Sequence, residues 1–144
     1  MAKRLTGREK AEQMLRIADT GEYLRDLRLK KGITLAQLSD NVGVSINFLS
    51  ELERGLKPPS DKLIEALSKF YQVESSEIYN RLGKIPESAT DELEKNPQLN
   101  KMLSEINQNK KLTPKKKLEL YQEMYDVYLQ FVEEMEAEKR RRGK

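Results

Sequence analysis

Between Ser45 and Lys57 the chain reads S-I-N-F-L-S-E-L-E-R-G-L-K, and its polar groups suit hydrogen bonding better than bond breaking. The Asn47 amide sets a donor beside an acceptor, the pattern that pairs with an adenine edge in the major groove. Ser50 can donate or accept, and Glu51 can accept from cytosine N4. Arg25, Arg54 and Lys57 supply cations nearby for phosphates. A helix that had lost this role would be expected to carry acids or bulky apolar groups on that face, without flanking Arg or Lys. Elsewhere no carboxylate pair adjoins a glycine-rich loop, a nucleophile with a base or a ligand cluster, so no catalytic residue is assigned and an enzyme is not expected.

Two short amphipathic segments must hold these side chains. Leu35 to Val42 and Ile46 to Glu53 flank a tight break at Gly43-Val44-Ser45, the geometry of a helix-turn-helix. Gly43 can take the left-handed conformation that such a turn needs. Thr34 with Gln37 makes a capping box for the first segment, and Ser45 is placed to cap the second. Leu38, Val44, Leu49 and Leu52 then point inward. Ile46, Asn47, Ser50 and Glu51 stay on an outer face that can lie in a DNA groove.

The wording itself is specific. G-I-T-L-A-Q-L-S, then V-S-I-N-F-L-S-E-L-E-R-G, then K-P-P-S-D-K-L-I-E-A-L-S-K-F-Y-Q-V resembles the XRE/Cro family of phage-repressor-like helix-turn-helix proteins, from about Tyr23 to Leu82. The resemblance implies a transcriptional regulator, commonly a repressor that occupies its promoter as a dimer on double-stranded DNA. It matches Arg28 to a family position whose guanidinium pairs with an acid near the end of the recognition helix, here Glu53. It also matches Asn47 to a base-reading position and puts Lys57 on a loop that runs along phosphates. The main departure is Leu35, where family members usually carry a Gln that touches phosphate and braces the recognition helix. That departure bears on one backbone contact and not on the fold. The candidate DNA-binding set is Arg25, Thr34, Leu35, Gln37, Ser45, Ile46, Asn47, Phe48, Ser50, Glu51, Arg54 and Lys57.

Composition bounds the remainder. The 144 residues include no cysteine and no histidine, which removes disulfides, thiolate metal sites and the commonest general base. No metal and no cofactor are expected. The 27 basic and 24 acidic residues leave a net charge of +3, so any DNA-facing field must come from local clustering. No apolar run approaches the ~20 residues of a membrane span, and the N-terminus lacks the apolar core of a secretory signal. The expectation is a soluble cytoplasmic protein that makes no membrane contact.

The fold class expected is all-α: a five-helix repressor-like domain, then a C-terminal helical hairpin or long oligomerisation helix. Residues 1–20 read as a short helix with a capping box at Thr6 and Glu9 and excess charge from Lys3, Arg4, Arg8, Lys10 and Arg16. It is either a basic arm that touches DNA or a docked surface helix. Residues 21–83 form the helix-turn-helix domain. Its first helix, from about Glu22 to Lys31, turns Tyr23, Leu24, Leu27 and Leu29 inward and stops at Gly32. Gly55 ends the recognition helix, Ser60 begins a fourth helix with Leu63, Ile64, Leu67 and Phe70 inside, and a fifth carries Ile78 and Leu82. Residues 84–96 read as a linker, and residues 97–144 as a helical oligomerisation region.

In that last region Asn96-Pro97 and Thr113-Pro114 each place a capping residue before a proline at the first helical position. The first of these helices carries Leu99, Met102, Leu103 and Ile106. Along the second, from Pro114 to near Arg140, Leu118, Tyr121, Tyr125, Tyr128, Val132 and Met135 step by 3,4,3,4,3, a heptad seam. Met124 and Phe131 widen the seam, and Leu120, Val127 and Leu129 lie off it. An antiparallel hairpin with the Pro97 helix is one way to cover this surface. Self-association into a homodimer or higher oligomer covers more of it and is favoured. The terminal K-R-R-R-G-K reads as a solvated tail suited to a helix C-terminus. Two functions follow: a sequence-specific DNA-binding repressor on an inverted repeat, or a protein-interaction module in which the domain is a scaffold and the tyrosine-rich helix binds a partner. An antitoxin-like role, repressing an operon while holding a partner, lies between them. The polar outer face around Asn47 favours the first.

Overall fold

A computed structural model describes residues 4–143, which form eight α-helices and no strand among the described residues. The helices are α1 (Gly7–Lys31), α2 (Leu35–Val42), α3 (Ile46–Glu53), α4 (Asp61–Tyr71), α5 (Ser75–Leu82), α6 (Glu87–Lys95), α7 (Pro97–Gln108) and α8 (Pro114–Arg142). The chain divides into two compact units, residues 1–92 and 93–144. No helix among the described residues is long and apolar enough to cross a membrane.

The first unit closes around Leu24, Leu38, Leu49, Leu52, Leu63, Ile64, Leu67, Ile78 and Tyr79, all buried. These residues come from all five of α1 to α5, so each amphipathic helix buries its apolar face against the others. The helix ends follow local chemistry. Ser60 accepts from the Leu63 amide to begin α4. Gly32 takes φ 72° at the end of α1, where its N–H donates to Arg28 O and Leu29 O. Leu29 itself is exposed, contrary to expectation. It lies five residues beyond Leu24, a rotation that carries it off the buried stripe of Leu24 and Leu27.

Two boundaries differ from the sequence reading. The expected break near residues 20–21 is absent, and α1 runs through it for 25 residues. Buried Thr20 satisfies its hydroxyl within the helix by donating to Arg16 O at 2.7 Å, and Gly21 is buried against the end of α3. At the start of α1, Thr6 accepts from the Glu9 amide, but its hydroxyl rather than its amide meets the Glu9 carboxylate. Of the basic residues assigned to the arm, Lys3 lies outside the described residues, as does Lys144 of the C-terminal tail.

The second difference is α6, which occupies most of the stretch expected to be a linker. Its start is fixed from a distance. The Glu87 N–H donates to Asp61 Oδ2 at 3.1 Å, across 26 residues of sequence. The same carboxylate pairs with Lys84, and that contact, with the Glu87 amide, holds the Asp61 pKa below its ordinary value.

In the second unit α7 and α8 begin at Pro97 and Pro114 as the sequence suggests. Thr113 caps α8 by accepting from the Lys116 amide; Asn96 makes no side-chain cap to α7. Ile106 is buried, while Leu99, Leu103, Leu112, Leu120 and Met124 are half-buried. The apolar residues of α8 beyond Met124 are exposed except for half-buried Val132 and Ala137.

Candidate nucleic-acid interface

The turn before α3 is fixed at both ends. Gly43 takes φ 70° and donates to Ser39 O, while the Ser39 hydroxyl donates to Val44 O at 2.6 Å. Ser45 then caps α3 by accepting from the Phe48 amide at 3.1 Å. Thr34 and Gln37 form the full capping box of α2: the Gln37 amide donates to Thr34 Oγ1, and the Thr34 amide donates to Gln37 Oε1. Of the groups those two side chains could offer a phosphate, the Gln37 carboxamide nitrogen is the one left over by the box. These side chains fix the start of α2, the turn and the start of α3 by local contacts.

The far end of α3 is held by an ionic fork. Arg28 Nε donates to both Glu53 oxygens at 3.1 and 2.9 Å, its Nη2 donates to Oε1 at 3.0 Å, and its Nη1 reaches Ile33 O at 2.9 Å. With 13% and 6% of their side chains exposed, the two partners are largely desolvated, so bidentate geometry and the extra carbonyl contact must offset burial. The Glu53 hydrogen bond raises the Arg28 pKa above its ordinary value. Close by, burial pushes the Tyr71 phenol up to about 12, with Glu53 adding to the shift. These residues support the helix rather than face solvent.

Between those anchors Asn47 is exposed, Ile46 is 48% exposed, and Ser50 and Glu51 are half-buried. Phe48 packs against the core and leaves only part of its ring accessible. Lys57 lies 2.9 Å from the Glu51 carboxylate and 5.8 Å from the centre of the Phe48 ring. Arg54 turns back along α3, its Nε donating to Ser50 O at 3.3 Å. Arg25, Arg28, Leu35, Ser50, Glu53 and Arg54 line one shallow depression beside α3, so half-buried Leu35 gives this basic rim an apolar floor. The twelve residues assigned from sequence thus lie on α1, α2, α3, the α1–α2 connection that holds Thr34, and the two loops that bound α3.

Sequence reasoning missed the contacts that set the depth of α3. A Cβ at Gly21 would lie 2.4 Å from Leu52 O and 2.9 Å from Glu53 O, and one at Gly55 would lie 2.7 Å from Ala18 Cα. Gly55 also needs φ 75°. It closes a Schellman turn in which its N–H donates to Leu52 O and the Leu56 N–H to Glu51 O. The available signal was a glycine between Ile17 and Leu24 within a continuing helical pattern. That arrangement fits a close helix crossing as readily as a break.

Comparison with known proteins agrees with this architecture. Residues 24–78 match the helix-turn-helix family model, a segment that begins in α1 and ends in α5. The chain is similar to the transcriptional regulator ClgR of Mycobacterium tuberculosis, 41% identical over 58 residues, covering 40% of this chain and 52% of that protein. It is also similar to the HTH-type transcriptional regulator DdrOP3 of Deinococcus deserti, 31% identical over 78 residues, covering 49% and 60%. The chain spans about half the length of the curated relatives it matches, 52% for ClgR.

Proposed function

We propose, from the match of residues 24–78 to the helix-turn-helix family model, that the chain is a sequence-specific DNA-binding transcriptional regulator, a repressor that occupies an inverted-repeat operator as a dimer. The observation that carries this reading is α3 itself. It is capped by Ser45, clamped by the Arg28–Glu53 fork and exposes Asn47 between those supports. Such a helix offers a pre-positioned amide to a base edge at little ordering cost.

Arg25, Arg54 and Lys57 take the phosphates, which fix register without reading sequence. In the free protein Lys57 neutralises Glu51. On DNA, transfer of that ammonium to a phosphate frees the carboxylate to accept from a cytosine N4. Two equivalent domains related by a two-fold axis require half-sites in inverted orientation, spaced about one helical turn or ~10 base pairs apart.

A second reading is favoured by the exposed Tyr121, Tyr125 and Tyr128 of α8. In it the domain is a scaffold and α8 holds a protein partner; an antitoxin-like role, which binds DNA while α8 holds a partner, lies between the two readings. Selection of bound sequences from a randomised duplex pool, with footprinting of the selected site, separates the two. Enrichment of an inverted repeat supports the regulator. Binding without sequence enrichment, enriched direct repeats or a footprint confined to one half-site contradicts it.

A further inference from the structure

One arc of α8 is apolar and the opposite arc is charged. With Leu118 as the first core position of a heptad, Leu118, Tyr125 and Val132 form one core row and Tyr121, Tyr128 and Met135 the other. Leu120, Met124, Val127 and Phe131 flank these rows on one side. Glu119, Asp126 and Glu133 lie on the polar back, with Lys116, Glu123 and Gln130. Burial divides the apolar arc. Leu120 and Met124 are half-buried, whereas Leu118, Tyr125 and Tyr128 are 70%, 55% and 57% exposed. Val127 and Phe131 on the flank are exposed as well and Val132 is half-buried, so the helix is covered around Leu120 and Met124 and largely open along its core rows.

We propose that this open seam takes α8 of a second copy in antiparallel orientation, with Leu118 against Met135, Tyr121 against Val132 and Tyr125 against Tyr128 of the other copy. The proposal rests on the two-copy reading above and adds its mode of pairing. Charge complementarity selects the register. Lys115, Gln122, Leu129 and Glu136 border the seam on one side, and Lys117, Met124, Phe131 and Glu138 border it on the other. In an antiparallel pair each border faces the same border of its neighbour. The register that stacks all six core residues also sets Lys115 against Glu136, Lys117 against Glu138, and Met124 against Phe131. Two-fold symmetry doubles every pair.

Alternative pairings lose these matches. A parallel pair sets Lys117 against Gln122 and Phe131 against Glu136, with no ion pair along the seam. An antiparallel slip of one heptad in either direction leaves two of the six core residues without a core partner and parts both lysines from their acids. Glu138 also accepts from Arg142 of its own helix at 2.8 Å, an exposed contact, and its second oxygen remains for Lys117. A foreign protein would need no such self-complementarity in α8; a second copy does.

The test uses the full chain, which has no cysteine of its own. Leu118→Cys and Met135→Cys are prepared separately, mixed under reducing conditions so that subunits exchange, and then oxidised. The expected result is a cross-linked dimer from the mixture and none from either variant alone. Cross-linking of each variant with itself overturns the antiparallel orientation. A dimer by light scattering that cross-links in no combination overturns pairing through α8 but leaves the two-copy reading intact; a micromolar monomer overturns both. As an independent check, Lys117→Glu should weaken association by several-fold up to about tenfold. Glu138→Lys should do the same, and the two together should restore it. These residues stand 21 positions apart on one helix, so rescue cannot arise within a chain. Failure of the double variant to recover affinity contradicts the register.

Discussion

α3 and α8 differ in what they leave in solvent and in what holds them. α3 has eight residues, too few to persist alone in water. It is fixed by a cap, an ionic fork and three buried side chains, Leu49, Leu52 and Glu53, and it exposes Asn47 and Ile46 with Ser50 and Glu51 partly accessible beside them. α8 has 29 residues and no buried residue along its length, and it exposes a tyrosine-rich apolar face. A short helix with fixed ends presents hydrogen-bonding groups in one geometry, which is what reading a surface demands. A long helix with an open apolar stripe is completed by burial against another helix. Placement of burial, more than helix length, separates the two proposed roles.

The contrast can be broken most severely at the fork. Glu53→Ala leaves the Arg28 guanidinium desolvated without its carboxylate and should cost about 3–5 kcal/mol in urea unfolding. Replacing both residues with apolar ones should cost far less. A loss below 1 kcal/mol for Glu53→Ala would mean that α3 is held mainly by its apolar side chains. Gly21→Ala comes next. Helix propensity alone favours alanine by about 0.5–1 kcal/mol, but the added Cβ would strike backbone oxygens of α3. A net destabilisation of roughly 1–3 kcal/mol is expected, and a rise in thermal midpoint would contradict the close crossing.

A smaller effect concerns pH. The Tyr71 phenol has a folded pKa raised to about 12 from an ordinary 10, so the folded state holds this proton more tightly than the unfolded state. Its stabilisation is complete below pH 10 and is lost as pH rises from 10 to 12. Tyr71→Phe should flatten that decline in urea midpoints measured across this window. Tyr79, also raised by burial, keeps part of the slope. On α8 the expected change is smaller still. Tyr125→Ser should shift the unfolding free energy of the helix-turn-helix unit by no more than about 0.5 kcal/mol, whatever it does to association. A larger shift in hydrogen exchange of α1 to α5 would show that the two regions are energetically coupled.

Most of the candidate interface was legible because its determinants are local. Thr34-x-x-Gln37, Gly43 and Ser45 each act within a few residues, and the structure satisfies them as spaced. The start of α8 at Thr113-Pro114 was legible for the same reason. What was missed depends on residues far apart. Gly21 looks like a break until α3 lies against it, and the start of α6 depends on an Asp61 carboxylate 26 residues upstream. The Lys57–Glu51 pair was also missed. It lies across a turn whose closure is set by Gly55, and no short-range pattern brings those two side chains together.

The central claim, that α3 reads bases and its flanks grip phosphates, is tested most directly by one set of isotherms on a selected operator and a random duplex at several salt concentrations. Asn47→Ala should lose about 1–3 kcal/mol on the operator, relax preference at one base pair and leave random binding unchanged. Lys57→Ala should weaken both duplexes equally and lower the salt slope by roughly one unit. Equal loss on both duplexes for Asn47→Ala would contradict placement of α3 in the groove.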